Sequence, residues 1–129
     1  MTEIEWWEYD DAAELADAIA GDVQFVIESA IDARGSAVLA LAGGKTPLPA
    51  YEKLAKAKLD WKRVTIVPGD ERIVPLGDPL SNVTALGRIL IPKGARIVAI
   101  SATEGRIVVT LERAGTSTAT DLFFFVWIG

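Results

Sequence analysis

The segment Gly43-Gly44-Lys45-Thr46-Pro47 has the residue types of an anion-binding loop. Two adjacent glycines let the backbone turn sharply and approach a ligand, because no Cβ stands in the way. We expect Thr46 to cap the helix that follows and Pro47 to take its first position, so that exposed amides and the positive helix end face the anion. Lys45 adds a positive charge. The alternative interpretation is a glycine turn that merely begins a helix, and spacing alone leaves the two equally open.

The same segment is not a nucleotide-binding P-loop, although Gly44-Lys45-Thr46 matches the end of that motif. The motif requires a glycine five positions before Gly44, where this chain has Leu39. Pro47 would also remove an amide from the turn that faces the phosphate.

A second polar group, Asp70-Glu71-Arg72, follows the apolar stretch 64–67. In open parallel sheets ligands bind beyond the carboxyl ends of the strands, so we expect this turn to face the same crevice as the glycine loop. Asp70 could act as a base or orient a hydroxyl, and Arg72 could bind a phosphate or stabilise an oxyanion. A local ion pair is the alternative. Downstream, Ser81 and Asn82 could cap a helix, which is the commoner role, or contact a ligand.

The elements that position these loops follow from hydrophobic patterning. Continuous apolar runs at 37–41, 64–67 and 96–100 predict strands buried on both faces, and the alternation of strands and helices predicts a parallel α/β sheet. Further elements are expected as strands at 4–9, 106–111 and 122–128, as helices at 11–34, 48–58 and 81–90, and as weak structure at 112–120. Asp10 or Asp11 should cap the first helix, Gly21 could divide it, and Gly35 should end it.

The composition of the chain limits the partners and the reactive groups that we can expect. The 129 residues carry a net charge of −5, which argues against a nucleic-acid partner, and they include no cysteine and no histidine. Acid–base work would therefore fall to carboxylates or lysines, and imidazole or thiolate metal sites are excluded. The acidic N-terminus does not look like a signal peptide, and the longest apolar run, 122–128, is too short to cross a bilayer as a helix. We therefore expect a cytoplasmic protein with no membrane partner.

Taken together, the motifs resemble the 6-phosphogluconolactonase family, within the superfamily that also contains glucosamine-6-phosphate isomerases. The matching segments, in family order and spacing, are Leu41-Ala42-Gly43-Gly44-Lys45-Thr46-Pro47, Leu59-Asp60-Trp61-Lys62-Arg63-Val64, Asp70-Glu71-Arg72-Ile73-Val74-Pro75 and Ser81-Asn82. The resemblance implies a Rossmann-like, mostly parallel sheet flanked by helices, in a single domain over 1–129. It also implies hydrolysis of 6-phosphogluconolactone to 6-phosphogluconate in the pentose phosphate pathway, with no cofactor and no metal.

Roles for individual residues follow from the resemblance. The loop Gly43, Gly44, Lys45 and Thr46 would hold the phosphate of the sugar, while Ser81 and Asn82 would contribute to substrate binding. Arg72 would neutralise developing negative charge, and Asp70 would sit beside the sugar ring. Deaminases of the superfamily normally have an aromatic residue where this chain has Arg72, which favours the lactonase branch.

The chain departs from the family pattern in three places. Lys45 replaces a small hydroxyl residue, and Gly77-Asp78-Pro79-Leu80 replaces a run with aspartate and histidine. The segment with Asp-Gly-His, whose histidine is the family's general base, is absent, and the residues 101–105 stand in place of a large block. We therefore expect weak or lost lactonase activity, the alternative being a non-catalytic sugar-phosphate-binding or structural remnant. An open sheet edge and the apolar stretch 123–127 further predict self-association.

Overall fold

The computed structural model describes residues 3–103, 106–113 and 116–120. The burial and the contacts of side chains are described for residues 3–100. Within this part, a five-stranded sheet packs against helices, and the strands lie in chain order from β1 to β5. The strands are β1 (Ala37–Leu41), β2 (Val64–Pro68), β3 (Arg96–Thr103), β4 (Arg106–Arg113) and β5 (Thr116–Thr120), and the helices are α1 (Ala12–Arg34), α2 (Leu48–Ala55) and α3 (Asn82–Leu90). The α/β class predicted from the sequence is confirmed.

The first half of the sheet is parallel, as predicted. β1 pairs with β2 in a register that joins Ala37 to Val64 and Leu41 to Pro68. β2 pairs in parallel with β3, where Ile66 lies beside Ile97. The connections run through α2 and α3, which supply the length that a parallel crossover needs.

The second half of the sheet is antiparallel, so the sheet is mixed rather than mostly parallel. β4 pairs antiparallel with β3, and β5 pairs antiparallel with β4. Strands joined antiparallel need no crossover helix, which explains how only two residues can connect Thr103 to Arg106. The prediction of weak structure over 112–120 was wrong, because 116–120 forms β5. The predicted strand at 122–128 lies outside the described residues.

Helix α1 has the ends that the sequence predicted. Asp11 is its N-cap, and the Asp11 side chain accepts a hydrogen bond of 2.8 Å from the Glu14 amide. Gly35 ends the helix with a φ of 80°, and its N–H donates to the Ile31 carbonyl. Such a left-handed residue is easiest for glycine. The helix continues through Gly21 without a break.

Two other expectations about elements were wrong. Residues 4–9 form no strand, and Trp6 and Trp7 are exposed, so none of the described strands holds this segment. Helix α2 ends at Ala55 rather than at 58. Its end tightens, since the amides of Lys56 and Ala57 bond to carbonyls only three residues back.

The core lies on one face of the sheet. Alternate residues of the parallel strands, such as Leu41, Ile66 and Ile97, form one cluster with Ile27 of α1 and with residues of α2 and α3. Val38, which points to the other face of β1, is 69% exposed. The prediction that β1 is buried on both faces was therefore wrong. None of the helices in the described ranges is long and apolar enough to span a membrane.

Candidate functional site

The glycine loop and the acidic turn leave the sheet at the same edge. β1 and β2 run parallel with Leu41 beside Pro68, so the chain enters both loops from neighbouring strand ends. The amide of Gly69 donates a hydrogen bond of 2.8 Å to the Leu41 carbonyl, which extends the pairing into the start of the loops. The sequence-based expectation of one shared edge is confirmed.

Asn82, the first residue of α3, bridges the two loops. Its side-chain amide Nδ2 donates to the carbonyl oxygen of Asp70 at 2.9 Å and to the Asp70 carboxylate at 3.3 Å. On its other side it lies against Gly43, where an added Cβ would be 2.1 Å from the Asn82 Cγ. Gly43 is therefore required for close approach of a side chain, and the predicted site residues Gly43, Asp70 and Asn82 are brought together.

Gly44 is a glycine for a different reason. Its φ is +89°, and a Cβ at this position would have no atom within 4 Å. The residue provides the left-handed turn rather than space for a neighbour.

Glu71 is the central residue of the acidic turn, and sequence reasoning did not assign it a role. Its carboxylate accepts hydrogen bonds from the Ser81 hydroxyl at 2.7 Å and from the amides of Asn82 and Val83 at 2.7 and 3.1 Å. The amide of Arg72 adds a fourth at 2.8 Å. Glu71 thus caps α3 from ten to twelve residues away. No local capping pattern could have indicated this, because such patterns join residues three apart.

The prediction that Ser81 caps α3 is correct in position only. Ser81 occupies the N-cap site, but its side chain makes no capping hydrogen bond to the helix amides. It is 6% exposed and donates its hydroxyl proton to Glu71 instead. Ser81 is therefore a buried support of the acidic turn and is not open to a ligand.

The surroundings of Glu71 favour its charged form. Desolvation by burial raises the pKa of this carboxyl, but the hydrogen bonds from Ser81, Asn82, Arg72 and Val83 together outweigh it and hold the pKa below its usual 4.5. A carboxylate that accepts several amide hydrogen bonds is stabilised in this way. At neutral pH Glu71 is thus a fixed negative acceptor at the start of α3, where the helix dipole also favours an anion.

The start of α2 differs from the prediction. Pro47, rather than Thr46, is the N-cap, and its side chain makes no capping hydrogen bond. Pro47 and Pro49 carry no N–H, and the amide of Leu48 donates to the Lys45 carbonyl at 3.3 Å. The first turn of α2 therefore has few free amides to offer to an anion.

The backbone donors that an anion could still use here are the loop amides from Gly43 to Thr46. Among the described residues, none accepts a hydrogen bond from these four amides. Tyr51 of α2 anchors the start of the loop, because its hydroxyl donates to the Ala42 carbonyl at 2.7 Å. Burial raises the pKa of Tyr51 against the opposing effect of this hydrogen bond, so the hydroxyl keeps its proton and stays a donor. The loop can thus present its amides to an anion while Tyr51 holds Ala42, the residue that precedes the loop.

Four polar or charged residues of the two loops face solvent. Lys45, Thr46, Asp70 and Arg72 are exposed. The ion pairs over residues 3–100 join Lys53 to Asp17 and Arg63 to Asp60, so the alternative of a local Asp70–Arg72 pair is not found there. Lys45 carries a positive charge within the glycine loop, and Arg72 carries one within the acidic turn. The arrangement can bind an anion at the glycine loop and a second polar group at the acidic turn. Over the described ranges, no three potential ligands are grouped as a metal ion would need.

Comparison with known proteins supports one family. The model for "Glucosamine-6-phosphate isomerases/6-phosphogluconolactonase" matches residues 10–122. A 6-phosphogluconolactonase of Neisseria meningitidis serogroup A is 40% identical over 90 residues, which are 70% of this chain and 39% of that protein. A 6-phosphogluconolactonase of Pseudomonas putida is 44% identical over 85 residues, 66% of this chain and 35% of that protein.

A solved structure gives the same result. The crystal structure of a 6-phosphogluconolactonase from Shewanella baltica superposes with a TM-score of 0.71 at 28% identity, over 76% of this chain and 43% of that chain. The chain thus spans about two fifths of the length of the relatives that it matches. The matched family model includes both loops of the site.

Proposed function

Because the chain belongs to the glucosamine-6-phosphate isomerase/6-phosphogluconolactonase family, we propose that its site binds a phosphorylated sugar acid or lactone. The reaction class is hydrolysis of 6-phosphogluconolactone to 6-phosphogluconate. The observation that carries the proposal is the bridge made by Asn82, which holds the glycine loop and the acidic turn side by side. A ligand with an anion at one end and hydroxyl groups along its length would contact both.

In this proposal the phosphate binds the free amides from Gly43 to Thr46, with Lys45 as a nearby positive charge. Asp70 accepts a hydrogen bond from a sugar hydroxyl. Water adds to the lactone carbonyl carbon, the carbonyl oxygen gains negative charge, and the guanidinium of Arg72 stabilises that charge. The ring C–O bond then breaks, and its oxygen takes the proton that the attacking water releases, which gives the open hydroxy acid.

We further propose that hydrolysis by this chain is weak or lost. The sequence contains no histidine, and a positioned general base is typically worth about 10²–10⁴-fold in rate. Aspartate and glutamate side chains are in general weak bases near neutral pH, so the acidic turn is a poor substitute. The location that fits a charged sugar phosphate is the cytoplasm, because such molecules do not cross an apolar membrane unaided.

The second candidate function is binding without turnover. It is favoured by the same absence of histidine, since the loop amides and Lys45 need no base to bind a phosphate. In that case the chain is a sugar-phosphate-binding or structural remnant of the enzyme fold. Thermal-shift titration with 6-phosphogluconate separates binding from no binding. Glucosamine 6-phosphate in a parallel titration tests the deaminase-type ligand.

The decisive activity assay measures 6-phosphogluconolactone hydrolysis above the uncatalysed rate. We expect little or no excess rate from the wild type. Arg72→Ala should abolish any excess rate, whereas Arg88→Ala, an exposed arginine near the end of α3, should leave it unchanged. Robust turnover that depends on Arg72 would overturn the proposal of weak activity. The absence of any stabilisation by 6-phosphogluconate would overturn the proposed binding function.

A further inference from the structure

We propose that Glu71 and Asn82 are a positioning pair that sets the distance between the glycine loop and the acidic turn. Neither residue needs to react with a ligand for this role. The part of the inference that concerns ligand affinity rests on the proposed function, whereas the part that concerns the placement of Asn82 does not.

Glu71 fixes the backbone of Asn82. The Asn82 amide donates to one carboxylate oxygen of Glu71 at 2.7 Å, while the Ser81 hydroxyl and the Val83 amide donate to the other at 2.7 and 3.1 Å. The residues on both sides of Asn82 are therefore tied to the same group. Hydrogen bonds to a charged acceptor are stronger than neutral ones, so the start of α3 is held firmly.

Asn82 in turn fixes both loops. Its Nδ2 group donates to the carbonyl and to the carboxylate of Asp70, which ties the side chain to the acidic turn. Its Cγ occupies the space that a Cβ on Gly43 would fill, at 2.1 Å. A displacement of Asn82 would therefore alter the spacing of the two loops, and a ligand that spans them would be affected most.

Isosteric variants test the pair. Glu71→Gln replaces one acceptor oxygen by an NH₂ group that faces donors. Asn82→Asp replaces the donor by a carboxylate that faces the oxygens of Asp70. Glu52→Gln is the control, since Glu52 is an exposed residue of α2 and makes no hydrogen bond through its side chain among the described residues. Binding of 6-phosphogluconate and of inorganic phosphate is measured by calorimetry at a temperature where all variants are folded.

We expect Glu71→Gln and Asn82→Asp each to weaken 6-phosphogluconate binding about 10-fold or more, and phosphate binding about 2-fold or less. A general loss of stability would not separate the two ligands in this way. In NMR spectra of Glu71→Gln, the side-chain amide signals of Asn82 should shift, and exchange of the Val83 backbone amide should accelerate about 10-fold. Exchange of Ile66 in β2 should not change, and Glu52→Gln should match the wild type throughout.

The two failures can be told apart. If the wild type binds neither ligand, the proposed function is wrong, and the NMR measurements alone decide the positioning pair. Unchanged Asn82 signals and unchanged Val83 exchange in Glu71→Gln would overturn the pair. Equal losses of affinity for phosphate and for 6-phosphogluconate would also overturn it.

Discussion

The close contact between Gly43 and Asn82 gives the sharpest prediction. In Gly43→Ala the new methyl group would lie 2.1, 2.2 and 2.4 Å from Cγ, Oδ1 and Nδ2 of Asn82, whereas ordinary contacts begin at 3.4 Å. Asn82 would have to move by about 1.3 Å, the difference between 3.4 and 2.1 Å, and its hydrogen bonds to Asp70 would break. Each such bond is worth about 0.5–1.5 kcal/mol, so two give a loss of about 1–3 kcal/mol in the free energy of unfolding.

The assay is urea denaturation of a double-mutant cycle. Asn82→Ala removes the atoms that the new methyl group would meet, so Gly43→Ala should cost little in that background, and the coupling should be about 1–3 kcal/mol. Gly44→Ala is the matched control, since a Cβ there would meet nothing within 4 Å and its cost is only the strain of a positive φ, about 1–2 kcal/mol. This control should show no coupling to Asn82. If Gly43→Ala costs the same with and without the Asn82 side chain, the contact is not the reason for the glycine.

Three further predictions concern single side chains. Hydrogen bonds, working against burial, lower the pKa of Glu71 below 4.5, so its contribution to stability is complete above that pH and is lost as the pH falls through the lowered pKa. Urea denaturation should therefore show Glu71→Gln less stable than the wild type at pH 7, with the difference shrinking below pH 4.5; a difference independent of pH would contradict this. Tyr51→Phe loses the hydrogen bond to the Ala42 carbonyl but keeps the buried ring, so it should cost about 0.5–1.5 kcal/mol by the same method, and a neutral effect would show that the tie to the loop is not needed. We also propose that the chain self-associates through β1, which pairs only with β2 among the described strands and exposes the Val38 side chain. Light scattering at micromolar concentration should give a mass above the monomer that falls in Val38→Lys, and a monomeric wild type would refute this.

Much of the fold could be predicted from local signals. Asp11 and Gly35 mark the ends of α1 because capping depends on residues that are close in the chain. The apolar run at 37–41 indicated β1. The two loops that follow β1 and β2 were expected to lie together because a parallel sheet brings successive strand ends to one edge. The shared edge of the site was therefore predictable.

The contacts that build the site were not predictable in the same way. Glu71 caps a helix that begins eleven residues later, and Asn82 fills the space beside Gly43, thirty-nine positions earlier in the chain. Both contacts depend on how α3 packs, which no pattern of neighbouring residues indicates. The exposure of Val38 was also missed, since an apolar run does not reveal whether both faces of a strand will be covered.

The mixed sheet has a consequence for the order of folding. Only two residues separate β3 from β4 and β4 from β5, whereas β1 and β2 are linked through the whole of α2. Short-range hairpins form in roughly 1–10 μs, while pairing between distant segments must first overcome the entropy of closing a long loop. We therefore expect the antiparallel meander to nucleate early and the parallel strand ends to assemble last. The side of the sheet where the glycine loop meets the acidic turn would then be a late product of folding.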